Sequence, residues 1–159
     1  MPPQTLAPLL KEHPFFSTCT SEQIEFVSGC AKNVVFHTGD VLFTEGQPAD
    51  TFYLIREGTI SITRHMMGRG AISFLTLGAG DIAGWSWLIP PYEYQFDAQA
   101  SNLTRALAFD GKCLREKCEA DTALGYTLLK QFSAVMVKRL HDTRMQLMDW
   151  YGLDHSQAR

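Results

Sequence analysis

The middle of the chain alternates with a period of two and is repeatedly interrupted by glycine. From Val34 to about Phe109, apolar and polar side chains alternate, most clearly at residues 59–63, where four of the five are β-branched. Alternation of this kind is typical of strands with one buried face. Many short strands, spaced by roughly ten residues and separated by glycines, favour an antiparallel sandwich or roll over residues 34–109. The segment Gly68-Arg69-Gly70 is expected at a hairpin tip.

Helical patterns flank this region on the N-terminal side. A helix is expected to begin at Thr20, because Gln23 three residues later completes a capping-box pattern. Phe26 is predicted on its apolar side, and Gly29 marks its end. Residues 1–33 are therefore expected to form N-terminal helices.

Helices are also predicted after the strands. Asp110 can cap a short helix and Asp121 a long one. We expect helices over residues 110–151 and a polar tail over 152–159. The chain of 159 residues then forms one domain, residues 1–159, mainly β with flanking helices.

The long helix carries a heptad-like stripe. Its members follow one another at steps of four and three: Leu129, Ser133, Met136, Leu140, Thr143, Leu147 and Trp150. A helix of roughly 28 residues spans about 42 Å, longer than a small roll can cover. We expect a homodimer interface formed by Met136, Leu140, Thr143, Leu147 and Trp150. The alternative is that the stripe packs on the roll, which its two small polar members would favour.

Charge and hydropathy limit the partners. The formal net charge is −3, which argues against attraction to nucleic acid backbones or anionic membranes. No stretch approaches the ~18 apolar residues of a membrane span, and the first residues show no secretory signal. A cytoplasmic protein is expected.

The potential metal ligands and nucleophiles are scattered. Four cysteines, Cys19, Cys30, Cys113 and Cys118, match no zinc or iron–sulfur spacing and are predicted to be reduced thiols. The five histidines form no cluster of the kind that a cupin metalloenzyme requires, and no P-loop, serine-hydrolase or zincin motif occurs. We expect no metal site, no catalytic residues and no enzymatic activity.

Three segments in order resemble the cyclic nucleotide-binding domain family. Residues 36–46 are similar to that family's opening strand pair, 50–62 to its next pair, and 77–84 to the approach to its phosphate-binding cassette. The long helix after them resembles the sensor half of the catabolite-activator and fumarate-nitrate regulators. The resemblance implies an antiparallel double-stranded β-helix, the cyclic-nucleotide-binding β-roll. Because few residues follow the long helix, no helix-turn-helix and no direct DNA binding are expected.

The chain departs from the family pattern where the ligand would bind. Where the family has a ribose-binding glutamate, this chain has Trp85, and Tyr94 replaces the phosphate-binding arginine. No Lys or Arg lies between Arg69 and Arg105, and Asp97 would repel a phosphate. A buried phosphate without a cation is costly, so binding of a cyclic nucleotide in the usual pose is not expected.

The candidate pocket is aromatic. Its predicted residues are Gly84, Trp85, Ser86, Trp87, Leu88, Tyr94 and Asp97. Three interpretations stay open. The side chains fill the pocket and are now core, the pocket takes an uncharged planar ligand, or the aromatic patch docks a partner protein.

The sequence favours a regulatory or accessory subunit with a degenerate cassette, without a cofactor. The motif Trp-Ser-Trp-Leu-x-Pro-Pro-Tyr at residues 85–92 resembles small accessory proteins of bacterial redox enzymes, including nickel–iron hydrogenases. That resemblance implies a redox enzyme complex as a partner. The alternative is a sensor that binds a cyclic nucleotide, or another nucleotide, in the β-roll.

Overall fold

Two four-stranded antiparallel sheets form the centre of the molecule. The computed structural model describes the backbone of residues 6–157 and the side chains of residues 6–152. Within this part of the chain the strands are β1 (Ala31–Phe36), β2 (Val41–Phe43), β3 (Thr51–Glu57), β4 (Ile60–Met66), β5 (Gly70–Leu77), β6 (Ile82–Ala83), β7 (Asp97–Ala100) and β8 (Thr104–Asp110). One sheet has the order β1-β8-β3-β6 and the other β2-β7-β4-β5. The predicted roll is confirmed, although its first strand begins at Ala31 rather than Val34.

Strand β3 separates two hydrophobic cores. Phe52 and Leu54 face the helices, whereas Ile55 packs inside the roll with the partly buried Tyr53. Successive side chains of a strand point to opposite faces, so one strand supplies both cores. The sheet that contains β3 is therefore buried on both sides at its centre.

The N-terminal helices follow the predicted signals with one exception. Helix α1 (Ala7–Glu12) leads through a short 3₁₀ turn to α2 (Ser21–Ser28), where the capping box of Thr20 and Gln23 is formed. The placement of Phe26 on the apolar side was wrong. Its ring is exposed, because Ile24 and Val27 already occupy the buried face, and the Lys117 ammonium lies 4.5 Å from its centroid.

The C-terminal helices begin at the predicted caps. Asp110 accepts a hydrogen bond from the Cys113 amide at the start of α3 (Gly111–Ala120). Asp121 does the same for Leu124 at the start of α4 (Thr122–Gln157). The predicted tail was wrong over residues 152–157, which continue α4. Polar composition alone does not stop a helix that gains one hydrogen bond per added residue. Residues 158–159 lie outside the described part of the chain.

An aromatic cluster anchors α4 to the sheet. The rings of Phe52 and Phe109 stack with centroids 4.5 Å apart, and Trp87 stacks on the other side of Phe52 at 5.2 Å. Phe132 of α4 meets Phe52 and Trp87 edge-on at 5.2 and 5.3 Å. Such pairs contribute about 0.5–1.5 kcal/mol each beyond their buried area. The first third of α4 is thus fixed to the roll.

The cysteine expectation was wrong for one pair. Cys30 and Cys113 form a disulfide, with Cα atoms 5.9 Å apart and a sequence separation of 83. Their spacing gave no signal, because only the fold brings the end of α2 next to the first turn of α3. Cys19 and Cys118 are free and half-buried, and burial raises the pKa of both thiols, that of Cys118 to about 11.

Candidate functional site

The candidate site lies inside the roll beneath residues 84–96, here termed the cassette segment, which connects β6 to β7. The segment begins at Gly84, whose φ of 91° is in the left-handed region. A Cβ atom there would lie 3.2 Å from the Thr51 carbonyl oxygen and 3.3 Å from the Tyr94 ring. Glycine therefore lets the chain turn tightly against β3 before the short 3₁₀ helix Trp85–Trp87.

The cavity under this segment is small and uncharged. Its volume is about 40 Å³, room for about three water molecules at the ~10–15 Å³ that each requires. It is lined by Phe43, Ile62, Phe74, Leu75, Leu77, Ile82, Ala83, Gly84, Trp85, Ser86, Tyr94, Gln95 and Phe96. None of these lining residues, all within the described part of the chain, is a Lys, Arg, His, Asp or Glu. The cavity therefore offers no charge to pair with a phosphate.

Tyr94 fills the interior where the family resemblance implied an arginine. Its ring stacks on Phe43 with centroids 4.0 Å apart and planes within 8°. Its hydroxyl donates to the Thr51 carbonyl at 2.5 Å and accepts from the Thr51 amide at 3.2 Å. Burial raises the pKa of Tyr94 to about 12, so the phenol is neutral at physiological pH. Tyr94 is thus a fixed structural plug.

The structure divides the predicted pocket residues into two groups. Gly84, Trp85, Ser86 and Tyr94 line the cavity. Trp87 is fully buried on the other side of β3, in the aromatic cluster, and Leu88 packs against the same core. The filled-core interpretation therefore describes Trp87, whose indole nitrogen has no hydrogen-bond partner among the described residues.

Asp97 lies at the edge of the roll and does not line the cavity. Its carboxylate accepts a 2.7 Å hydrogen bond from the Glu45 amide and lies 3.7 Å from His65 Nε2. It connects the turn after β2 with β4. The sequence prediction included Asp97 in the pocket, but the structure does not place it among the residues that line the cavity.

Arg115 of α3 holds the cassette segment from outside, and the sequence gave no sign of it. Its guanidinium donates to the Trp87 carbonyl, lies 3.7 Å from Asp50 Oδ1, and sits 4.6 Å over the Tyr92 ring. The contact joins residues 28 positions apart. A charged residue on a short helix has many surface roles, so only the tertiary structure identifies this one.

The predicted interface residues of α4 are mostly exposed. Leu140, Leu147 and Trp150 are 52%, 55% and 63% exposed, and Thr143 is exposed while donating to the Arg139 carbonyl. Met136 is half-buried. Arg139 points towards the roll, where it donates to the Ile82 carbonyl at 3.3 Å, and burial lowers its pKa.

The sequence model of the cyclic nucleotide-binding domain matches residues 33–121, which include the roll, the cassette segment and α3. The chain belongs to the cyclic nucleotide-binding domain family. Within 102 residues this cyclic nucleotide-binding domain is 28% identical to the cAMP-dependent protein kinase regulatory subunit of Schizosaccharomyces pombe, a match covering 64% of this chain and 24% of that protein. It spans about a quarter of the length of the curated relatives it matches.

Solved structures show the same fold. A protein of Geobacter metallireducens assigned to the cyclic nucleotide-binding proteins superposes with a TM-score of 0.78 at 31% identity, covering 85% of this chain and 98% of that one. The sensor domain of the transcriptional regulator DNR from Pseudomonas aeruginosa gives 0.68 at 21% identity, covering 84% and 90%. Because the DNR sensor domain is only 21% identical, this similarity shows the shared fold alone.

Two kinds of feature are absent from the described residues. No helix among them is both long enough and apolar enough to cross a membrane. No three or more His, Cys, Asp or Glu side chains come together there in a metal-binding arrangement.

Proposed function

We propose that this cyclic nucleotide-binding domain is a non-enzymatic regulatory or accessory subunit whose roll does not take a cyclic nucleotide in the family's usual pose. The observation that carries the proposal is the plugged interior: Tyr94 stacks on Phe43 and its hydroxyl is bonded to both backbone groups of Thr51. A small-molecule pocket has a volume of about 300 Å³ or more. The cavity here has about 40 Å³.

Charge gives a second, independent reason. A cyclic phosphate carries one negative charge, and the lining supplies neither an ammonium nor a guanidinium. Arg115 and Arg139 both contact main-chain carbonyls of this region, at Trp87 and Ile82, from the helix side. Burying an unpaired anion costs several kcal/mol. Each 1.4 kcal/mol weakens binding about tenfold.

Isothermal titration with cyclic AMP and cyclic GMP tests this proposal. We expect no saturable heat corresponding to a Kd below roughly 1 mM. Micromolar binding that is lost in Ser86→Ala would show instead a nucleotide sensor with the ligand in the roll, the alternative function. Asp97→Asn is the matched control, because Asp97 does not line the cavity.

We further propose that the protein is a homodimer through the second half of α4. The helix extends beyond its contacts with the roll, and its exposed apolar residues would remain in water in a monomer. At 100° per residue, a second stripe of Val137, Leu140, Arg144 and Leu147 lies about 80–160° around the helix from the roll-facing Arg139. This stripe shares Leu140 and Leu147 with the sequence-predicted interface but has Val137, which is 67% exposed, in place of the half-buried Met136.

Sedimentation of single variants tests the dimer and its register. Leu140→Glu should convert a dimer to a monomer, since either stripe contains Leu140. Val137→Glu should do so more strongly than Met136→Glu if the stripe that contains Val137 is the interface. An unchanged mass for Leu140→Glu would refute dimerisation through this helix.

The partner that we propose is a redox enzyme complex. The proposal depends on the resemblance of residues 85–92 to hydrogenase accessory proteins, and on the exposure of Ile89 and Tyr92 in that segment. Affinity capture of the tagged protein from its native host, compared with Tyr92→Ala, tests it. Recovery of redox-enzyme subunits with the wild type and their loss with the variant is the expected result.

A further inference from the structure

The disulfide lies where the N-terminal helices meet α3. Cys30 directly follows Gly29, which ends α2, and its carbonyl accepts from the Asp110 amide at 2.8 Å. Cys113 lies in the first turn of α3. Their Cα separation of 5.9 Å is ordinary for a disulfide. The bond therefore covalently links the turn after α2 to the first turn of α3, next to the backbone hydrogen bond between Asp110 and Cys30.

The two cysteines line one polar groove but differ in exposure. Cys30 is 6% exposed, whereas Cys113 is half-buried. Both line a groove of about 500 Å³, together with Lys32, Lys112 and Asp50. Cys113 is therefore the more exposed of the two residues to a thiol that enters this groove.

The position of Cys113 suits it to thiol–disulfide exchange. It is the third residue of the ten-residue α3, near the positive end of the helix dipole, and the capping Asp110 binds its amide. A helix N-terminus and nearby lysines stabilise a thiolate. The helix N-terminus therefore favours a thiolate at Cys113 in the second step of reduction, whereas the capping carboxylate of Asp110 opposes it.

We propose that Cys30–Cys113 is a reversible thiol–disulfide exchange site that takes a dithiol reductant, and that its state controls how firmly α3 holds the cassette segment. The incoming thiolate bonds to Sγ of Cys113 and displaces Sγ of Cys30, which leaves with the bonding electron pair and takes up a proton. The reductant's second thiol loses its proton and closes its own disulfide. Sγ of Cys113 leaves as a thiolate and is then protonated. Two electrons and two protons pass from the dithiol to the protein.

The contacts of α3 connect this chemistry to the cassette segment. The Gly111 amide donates to the Asp50 carbonyl at 2.7 Å, next to Thr51, whose backbone holds the Tyr94 plug. One turn later, Arg115 holds the Trp87 carbonyl and the Tyr92 ring. Reduction removes the covalent link between α3 and α2, so α3 and the groups it holds gain freedom. The inference is independent of whether the roll binds a nucleotide.

Equilibration of the full chain in mixtures of reduced and oxidised dithiothreitol, followed by alkylation and intact-mass measurement, tests the exchange site. When the protein is equilibrated in native buffer, an increasing share of reduced dithiothreitol should raise the number of alkylated cysteines per chain from two to four. In a Cys19→Ser/Cys118→Ser variant the number of alkylated cysteines should rise from zero to two. In Cys30→Ser/Cys113→Ser it should stay at two. A pair that stays oxidised until denaturant is added is a purely structural bond and overturns the proposal. Four free thiols under oxidising conditions overturn it as well.

Amide hydrogen exchange tests the coupling. On reduction, exchange in residues 85–94 should become about tenfold faster, as expected for a segment that opens locally more often. Arg115→Gln in the oxidised protein should reproduce this increase. Lys112→Gln is the matched control, because Lys112 pairs with Asp50 at 3.9 Å and is not bonded to Trp87. Faster exchange in α3 with unchanged exchange in residues 85–94 would overturn the coupling.

Discussion

Replacing Tyr94 by phenylalanine removes one oxygen atom from the plug and leaves the ring in place. That oxygen makes two hydrogen bonds, one to the Thr51 amide and one to the Thr51 carbonyl. Tyr94 is 6% exposed, so water does not readily replace the lost contacts. The change therefore isolates the polar contribution of the plug from its packing on Phe43.

The expected loss follows from the two bonds. A buried hydrogen bond contributes a net of about 1 kcal/mol, and a backbone group left without a partner costs about 1–3 kcal/mol. We expect Tyr94→Phe to lower the free energy of unfolding by about 2 kcal/mol, the sum of two ordinary bonds. For a domain of this size that corresponds to a fall in Tm of roughly 4–8 °C.

Urea unfolding followed by tryptophan fluorescence measures the effect, with Tyr53→Phe as the control. Tyr53 is half-buried against the same core as Tyr94, and its hydroxyl bonds to none of the described residues. We expect loss of the Tyr53 hydroxyl to change the free energy of unfolding by less than about 0.5 kcal/mol. Equal effects of the two variants would refute the inference that the Thr51 bonds hold the plug.

Two other predictions test the electrostatics and the turns. The folded-state pKa of Tyr94, about 12, lies above the ~10 of an unfolded tyrosine, so its contribution to stability is complete below pH ~10 and is lost as the pH rises towards 12. Stability should accordingly fall more steeply between pH ~10 and ~12 in the wild type than in Tyr94→Phe, a difference that denaturant titrations at each pH would reveal. Gly58→Ala should cost roughly 3 kcal/mol or more, because its φ is 93° and a Cβ would lie 2.5 Å from the Leu103 carbonyl oxygen. Gly68→Ala should lower the free energy of unfolding by only about 1 kcal/mol, because Gly68 has a φ of 79° but open space around it. Thermal melts that show equal losses for Gly58→Ala and Gly68→Ala would contradict this reasoning.

Local sequence signals predicted the elements well. The capping residues Thr20, Asp110 and Asp121 form hydrogen bonds within three residues of themselves. The Gly68-Arg69-Gly70 turn has both glycines at positive φ. These features depend on neighbours in the chain, and for that reason the sequence alone could place them. Phe26 shows the limit, since a helical pattern does not say which of two adjacent apolar positions is covered.

The candidate site is formed by segments that are far apart in the sequence. The family resemblance predicted that Trp85 and Tyr94 stand in place of charged residues, and the sequence has no Lys or Arg between Arg69 and Arg105. It did not show that Trp87 and Tyr94 lie on opposite sides of β3, that Asp97 faces away from the cavity, or that Arg115 holds the segment from behind.

The amino-acid sequence by itself determined the periodicities, the caps and the uncharged character of the ligand position, because each is a property of neighbouring residues or of residue type. Only the tertiary structure decided which aromatic side chains fill the roll and which fill the helical core, and that Cys30 meets Cys113. Burial and bonding between residues 43 or 83 positions apart arise when the sheets close and α3 packs against them. No local pattern in the chain encodes those distances.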